Sequence, residues 1–165
     1  AQELSMPVLD ERLFKSPAVA LQQAKSAVVK MSRRAARNVS LSTPLLLKMD
    51  EDVVSAINVR ENLIDRMEVE ISNYLIKMTD QELGDDESHA VTELLNFVTE
   101  FERIGDYAVN IQEKAVELYE KEASFSDIAK NELKLLDSQS FRWLMEGLHI
   151  EQKTAIRKGK PKDLF

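Results

Sequence analysis

Two segments of this chain set an acidic residue, three spacers and a second acidic residue inside an apolar pattern: Glu61-Asn62-Leu63-Ile64-Asp65 and Glu102-Arg103-Ile104-Gly105-Asp106. In a helix, residues four apart stack on one face, with roughly 5–6 Å between their Cβ atoms. Each pair therefore aims two carboxylates at one patch. Carboxylates that close repel one another when ionised, and burial sharpens the penalty. A metal cation is the natural counterpart, and Asn110, four residues beyond Asp106, offers a further oxygen. The candidate metal ligands are Glu61, Asp65, Glu102, Asp106 and Asn110. A set of oxygens without thiolates suits hard cations, or iron and manganese, better than structural zinc. Iron, manganese and magnesium are the metals expected.

The spacing alone says little, because charged helices contain such pairs by chance. Glu113 and Glu117 form another, on a polar face where solvation accounts for them. Position singles out the first two. On a helical wheel at about 100° per residue with Ile57 at zero, Glu61 falls near +40°, Glu68 near +20° and Asp65 near +80°. Ile64, Ile71 and Tyr74 lie at about −20° to −40° on that wheel. Glu61 and Glu68 thus interrupt the apolar stripe, and Asp65 sits on its edge. In the second segment, Leu94, Phe97, Phe101, Ala108, Ile111 and Ala115 form one apolar row. Val91, Leu95, Val98, Val109 and Val116 form a second, in which Glu102 takes an apolar place. Gly105 costs about 1 kcal/mol relative to Ala in a helix. It removes bulk beside the acids, so that another helix or a ligand can approach closely. The competing account pairs these acids with Arg60, Arg66 or Arg103.

The elements that must position these residues are helices. Of 165 residues, 44% are hydrophobic and 31% charged, with only 4 Gly and 4 Pro. That composition describes one domain of long charged helices, an all-α fold. Residues 1–15 read as an N-terminal arm and residues 16–160 as the bundle. Ser16-Pro17 starts a first helix that runs to about Val39, where Ser40 to Pro44 breaks it. Asp50-Glu51-Asp52 caps a second, ending near Thr79. Gly84-Asp85-Asp86 turns into a third, from 86 to about 121. Ser124-Phe125-Ser126-Asp127 opens a fourth, with an inner row of Ile128, Leu135, Leu136, Trp143 and Leu148, stopped by Gly159-Lys160-Pro161. Short loops between helices predict an up-down antiparallel helical bundle. Asp65 lies 19 residues before Gly84 and Glu102 18 after it, so the two motifs meet at matching heights.

Several function classes are excluded or disfavoured. The absence of cysteine removes disulfides, thiolate sites and cysteine catalysis. No apolar run approaches the ~20 residues that span a bilayer, and no signal peptide is read. The chain opens on Ala1, as a domain excised from a membrane parent would. A net charge of −7 argues against nucleic acid as a partner. Bases cluster locally at Lys30, Arg33, Arg34 and Arg37, and again at Lys153, Arg157, Lys158, Lys160 and Lys162. Either these complement helix dipoles or they meet anionic lipid or a partner. Neither a phosphate-cradling glycine loop nor a nucleophile elbow is present. The enzymatic alternative is a di-metal carboxylate bundle using Glu-x-x-His. Glu146-Gly147-Leu148-His149 has that spacing, but His89 stands in the first turn of the third helix, about four turns from Glu102.

ERIGDYAVNI (Glu102 to Ile111), together with ENLIDRMEVEI (Glu61 to Ile71), resembles the PhoU-like family of phosphate-transport regulators. LDERLFKSPAVALQQAK (Leu9 to Lys25) resembles the segment where sodium/phosphate cotransporter-type membrane proteins pass into a cytoplasmic PhoU-like domain. The likeness covers about residues 8 to 120. It implies a three-helix repeat, here with a fourth helix, and metal clusters on the acidic motifs. By position, Glu61 and Asp65 match the first motif, and Glu102, Asp106 and Asn110 the second. The family commonly carries a second repeat with its own acidic pairs, and this chain has none. The implied role is non-enzymatic and regulatory: an accessory domain in phosphate transport, on the cytoplasmic side of the cell membrane. The implied partners are a membrane transporter domain of the same parent chain and a second copy in a homodimer.

Overall fold

A computed structural model describes residues 5–135. Three long helices run up, down and up: α1 (Pro17–Leu45), α2 (Glu51–Met78) and α3 (Asp85–Glu120). A short 3-10 helix (Glu11–Lys15) precedes them, a fourth helix begins at residue 127, and no strand occurs among the described residues. The fold is the all-α antiparallel bundle that the helical periodicity predicts.

Local chemistry explains the helix limits. Asp50 caps α2 by accepting the backbone N–H groups of Asp52 and Val53 at 3.1 and 3.2 Å. Ahead of α3, Glu87 reaches back to the Gly84 N–H at 2.9 Å. Ser126 accepts the Ala129 N–H at 3.3 Å and so starts the fourth helix. The first helix is longer than expected, since it passes through Ser40 and reaches Leu45. The hydroxyls of Ser40, Ser42 and Thr43 donate to the carbonyls of Arg37 and Val39 and stay within the helix. Pro44 falls in the last turn, where its missing N–H ends the helix and does not break it earlier.

The interior has three zones. Ala20, Ala24 and Met31 of α1 meet Ile64, Met67, Ile71 and Leu75 of α2 and Val91 and Val98 of α3 in the larger apolar core. The alanines of α1 let its neighbours approach closely. At the other end, Leu45, Ile57 and Ala115 form a smaller cluster. Between the two, buried Asn38 of α1 bonds to buried Arg60 of α2; Arg34 and Ser42 of α1 and Gln112 of α3 are further buried polar residues. The acidic motifs lie at this polar level.

The arm is anchored at residues 5–15, and one expectation for the fourth helix is corrected. Met6, Leu9, Leu13 and Phe14 pack on the larger core, and the Phe14 ring lies 4.9 Å from that of Tyr74. The Tyr74 hydroxyl donates to the Asp10 carbonyl at 3.3 Å, Lys77 pairs with Glu11 at 2.6 Å, and Arg34 donates to the Ser5 carbonyl. In the fourth helix, Ile128 and Leu135 were expected to face inward but are 74% and 60% exposed. Leu136, Trp143 and Leu148 of the same row lie outside the described residues.

Candidate metal centre

Glu61 enters the bundle through a notch in α3. A Cβ built on Gly105 would lie 2.9 Å from both carboxylate oxygens of Glu61. The glycine that the sequence offered to a ligand or a neighbouring helix therefore admits a side chain of α2. Glu61 Oε2 accepts a hydrogen bond from Asn38 Nδ2 at 3.2 Å, while Oε1 is buried without a partner. Asn38 is fully buried and ties the group together. Its Nδ2 also donates to the Ile57 carbonyl at 3.3 Å, and its Oδ1 accepts from Arg60 at 3.2 Å.

Electrostatics show which acids share this place. Burial raises the Glu61 carboxyl to about 7; the Asn38 hydrogen bond opposes the rise, and Asp65, Asp106 and Glu102 add to it. Glu102 is lifted to about 6, by burial first and then by Asp106, Glu68 and Asp65. Asp65 is raised by burial and by Asp106. The four acids predicted from the two motifs thus lie together across the α2–α3 seam. Glu61 is turned inward, Glu102 is half-exposed, and Asp65 and Asp106 are at the surface. Asn110 is also exposed, and no described contact joins it to the others.

None of the four acids forms a salt bridge with a described lysine or arginine. Arg103 pairs with Glu100 at 2.9 Å, and Arg60 bonds to Asn38. Glu117, by contrast, is clasped by Lys114 and Lys121 at 2.8 and 2.6 Å, as befits a solvated face. The donor set fits a hard divalent cation in chemistry and charge, and Glu61 Oε1 is a buried acceptor with no described protein partner. The set is open: among the described residues, no three acidic or histidine side chains converge as a ready metal-binding group. His89 sits in the second turn of α3, thirteen residues and about 20 Å from Glu102. Glu146 and His149 lie outside the described residues.

Sequence reasoning missed Asn38, because the polar row it belongs to was cut before Ser42, where the first helix was expected to end. A signal was present: Arg34, Asn38 and Ser42 recur every four residues on the inner face of α1. Glu68 was seen interrupting the stripe but left out of the ligand set, although it bears on Glu102.

The site is thus a group of carboxylates gathered on one seam of an all-helical domain. The chain belongs to the PhoU domain family, whose model matches residues 28–115. It is similar to the phosphate-specific transport system accessory protein PhoU homolog of Aquifex aeolicus, with 29% identity over 113 residues, covering 67% of this chain and 48% of that protein. It is also similar to the protein of the same name from Clostridium acetobutylicum, with 27% identity over 105 residues, covering 62% and 47%. The chain spans about half the length of these curated relatives. No solved structure matches it. Among the described residues, no helix is long and apolar enough to cross a membrane.

Proposed function

We propose that this chain is a non-enzymatic accessory domain in phosphate transport, carried by a sodium-dependent phosphate cotransporter-like protein at the cytoplasmic face of the membrane. Its acid cluster binds a divalent metal. The transport role is supported by family membership and by the names of the two relatives. The cotransporter parent rests on the likeness of residues 9–25 to a membrane-to-domain junction. The relatives' names equally favour a separate regulator of phosphate uptake, and apolar spans upstream of Ala1 in the parent reading frame would decide between the two.

The observation that carries the metal reading is Glu61: a carboxylate seated between two helices, with an unpaired oxygen and three further acids around it. Glu61, Asp65, Glu102 and Asp106 would hold the cation, with Asn110 as an outer oxygen. When bound, the metal supplies positive charge that cancels repulsion across the α2–α3 seam. Occupancy then biases how α2 and α3 pack, and the arm at residues 5–15 passes the change to the membrane domain. A metal that binds the folded state stabilises it by RT ln(1 + [L]/Kd), or about 2.7 kcal/mol at a hundredfold excess over Kd. Thermal unfolding is measured with manganese, iron(II) or magnesium, for the native chain and for Glu102→Ala/Asp106→Ala. The native midpoint rises and that of the variant does not. Equal midpoints with and without saturating metal would sink the metal reading. Deleting residues 16–165 from the parent tests the transport role, through phosphate uptake and its response to external phosphate.

A further inference from the structure

The structure assigns a membrane-docking surface to the outer face of α1, where Lys30, Arg33 and Arg37 form a cationic stripe that meets anionic lipid headgroups. This inference stands apart from the metal reading. α1 carries five lysines and arginines and no aspartate or glutamate, whereas α3 carries ten acids and two bases. In a chain of net charge −7, that separation makes the domain an electrical dipole. The helix dipole does not account for the bases. α1 extends to Leu45, no basic residue lies in its last turn, and a dipole's influence fades within that turn.

Lys30, Arg33 and Arg37 are exposed, and no described carboxylate pairs with any of them. At spacings of three and four residues they share one face, about 10 Å from end to end. The chemistry of the stripe selects among occupants. The large apolar residue on this face is Val19, half-exposed near the start of α1, and there is no aromatic. Protein interfaces are built around aromatic and apolar anchors and are poor in lysine, so a folded partner has little to grip. Single-stranded nucleic acid needs aromatic stacking platforms, and α1 carries no aromatic residue. A negatively charged bilayer needs charge alone.

The rest of the fold agrees with this orientation. The outer face of one helix in a three-helix bundle points away from the seam of the other two, so a docked α1 turns the acids of α2 and α3 away from the anionic surface. The arm reaches the same helix: the Asp10 N–H donates to Gln23 of α1 at 2.7 Å, two turns before Lys30 on one helical face. A membrane segment preceding the arm would deliver the chain beside the stripe.

The test is flotation of the full 165-residue chain with vesicles of phosphatidylcholine alone or mixed with phosphatidylserine, at low and high salt. The expected result is partition onto the anionic vesicles alone, lost as salt screens the charges. Each base near such a surface contributes roughly a factor of five, so Lys30→Ala/Arg33→Ala/Arg37→Ala weakens partition roughly 100-fold. Circular dichroism of that variant stays native, because all three side chains are solvent-facing. Lys153→Ala/Arg157→Ala/Lys158→Ala retains partition. The proposal is overturned if the native chain ignores anionic vesicles or binds neutral ones equally. It is also overturned if the C-terminal variant loses partition while the α1 variant keeps it. A change in oligomeric state in the α1 variant, with flotation intact, would assign the stripe to a second copy instead.

Discussion

Replacing Gly105 with alanine should abolish much of the pH dependence of this domain's stability. In an ordinary helix interior, Gly→Ala stabilises by about 1 kcal/mol. Here the new Cβ would fall 2.9 Å from both oxygens of Glu61. The obstacle is the end of a flexible side chain, so Glu61 swings out to solvent at little steric cost. It gives up its Asn38 hydrogen bond, worth about 1 kcal/mol net. Asn38 keeps its bonds to Ile57 and Arg60 and is not orphaned. In the native chain, Glu61 sits at about 7, against an ordinary 4.5. The folded state therefore holds its proton more tightly than the unfolded state. That contribution to stability is full below the ordinary value and is lost as pH rises through about 7. At about 1.4 kcal/mol per tenfold change in proton affinity, and after discounting for solvent screening of a half-buried group, the loss is about 2 kcal/mol. At pH 5 the gain in helix propensity and the lost hydrogen bond cancel, and the variant matches the native chain. At pH 8 the variant escapes the ionisation cost and is more stable by about 2 kcal/mol, or about 4–8 °C in midpoint for a chain of this size. Calorimetric unfolding without metal, from pH 5 to 8, reads this directly. A variant with the native slope, or one less stable at pH 8, would refute the seating of Glu61 against Gly105.

Other outcomes follow from the same geometry. The metal-free native chain loses stability between pH 5 and 8, since Glu61 is raised to about 7 and Glu102 to about 6, and saturating divalent cation flattens or reverses that slope; denaturant midpoints across the range check it. Asn38→Ala removes the hub between Arg60 and Glu61 and destabilises by about 1–3 kcal/mol, because it strands buried polar partners; chemical denaturation measures it. Tyr74→Phe removes the bond to the Asp10 carbonyl, loosens residues 5–15 and speeds limited proteolysis there, with little change in the helical signal.

The helices were readable because their apolar periods are strong and their caps carry ordinary capping chemistry, as at Asp50 and at Gly84 with Glu87. Pro44 misled, because a proline in a last turn looks the same in sequence as one that interrupts a helix. The four acids were legible from their place within apolar rows; a polar residue on an inner face is the signal that survives from sequence to structure. Asn38 carried that signal, but its row with Arg34 and Ser42 was cut when α1 was ended near Val39. The arm could not be read, because its anchoring depends on partners such as Tyr74 and Lys77, more than sixty residues away in the chain. The reach of Asn110 was not legible either. A four-residue step from Asp106 places it on the right side of α3 and leaves its distance from α2 undetermined.

The polar level through Asn38 and Glu61 divides the bundle's interior into unequal compartments, and that division governs how the domain breathes. The larger compartment closes the end where α2 turns into α3, and its amides should exchange with solvent only through global unfolding. The smaller one, held by Leu45, Ile57 and Ala115, has far less apolar contact to lose and should open on its own. Glu61 and Gly105 stand on the boundary between the two. Fraying at the Leu45 end then widens the α2–α3 seam without melting the fold, which gives an ion a route to the inward-turned carboxylate.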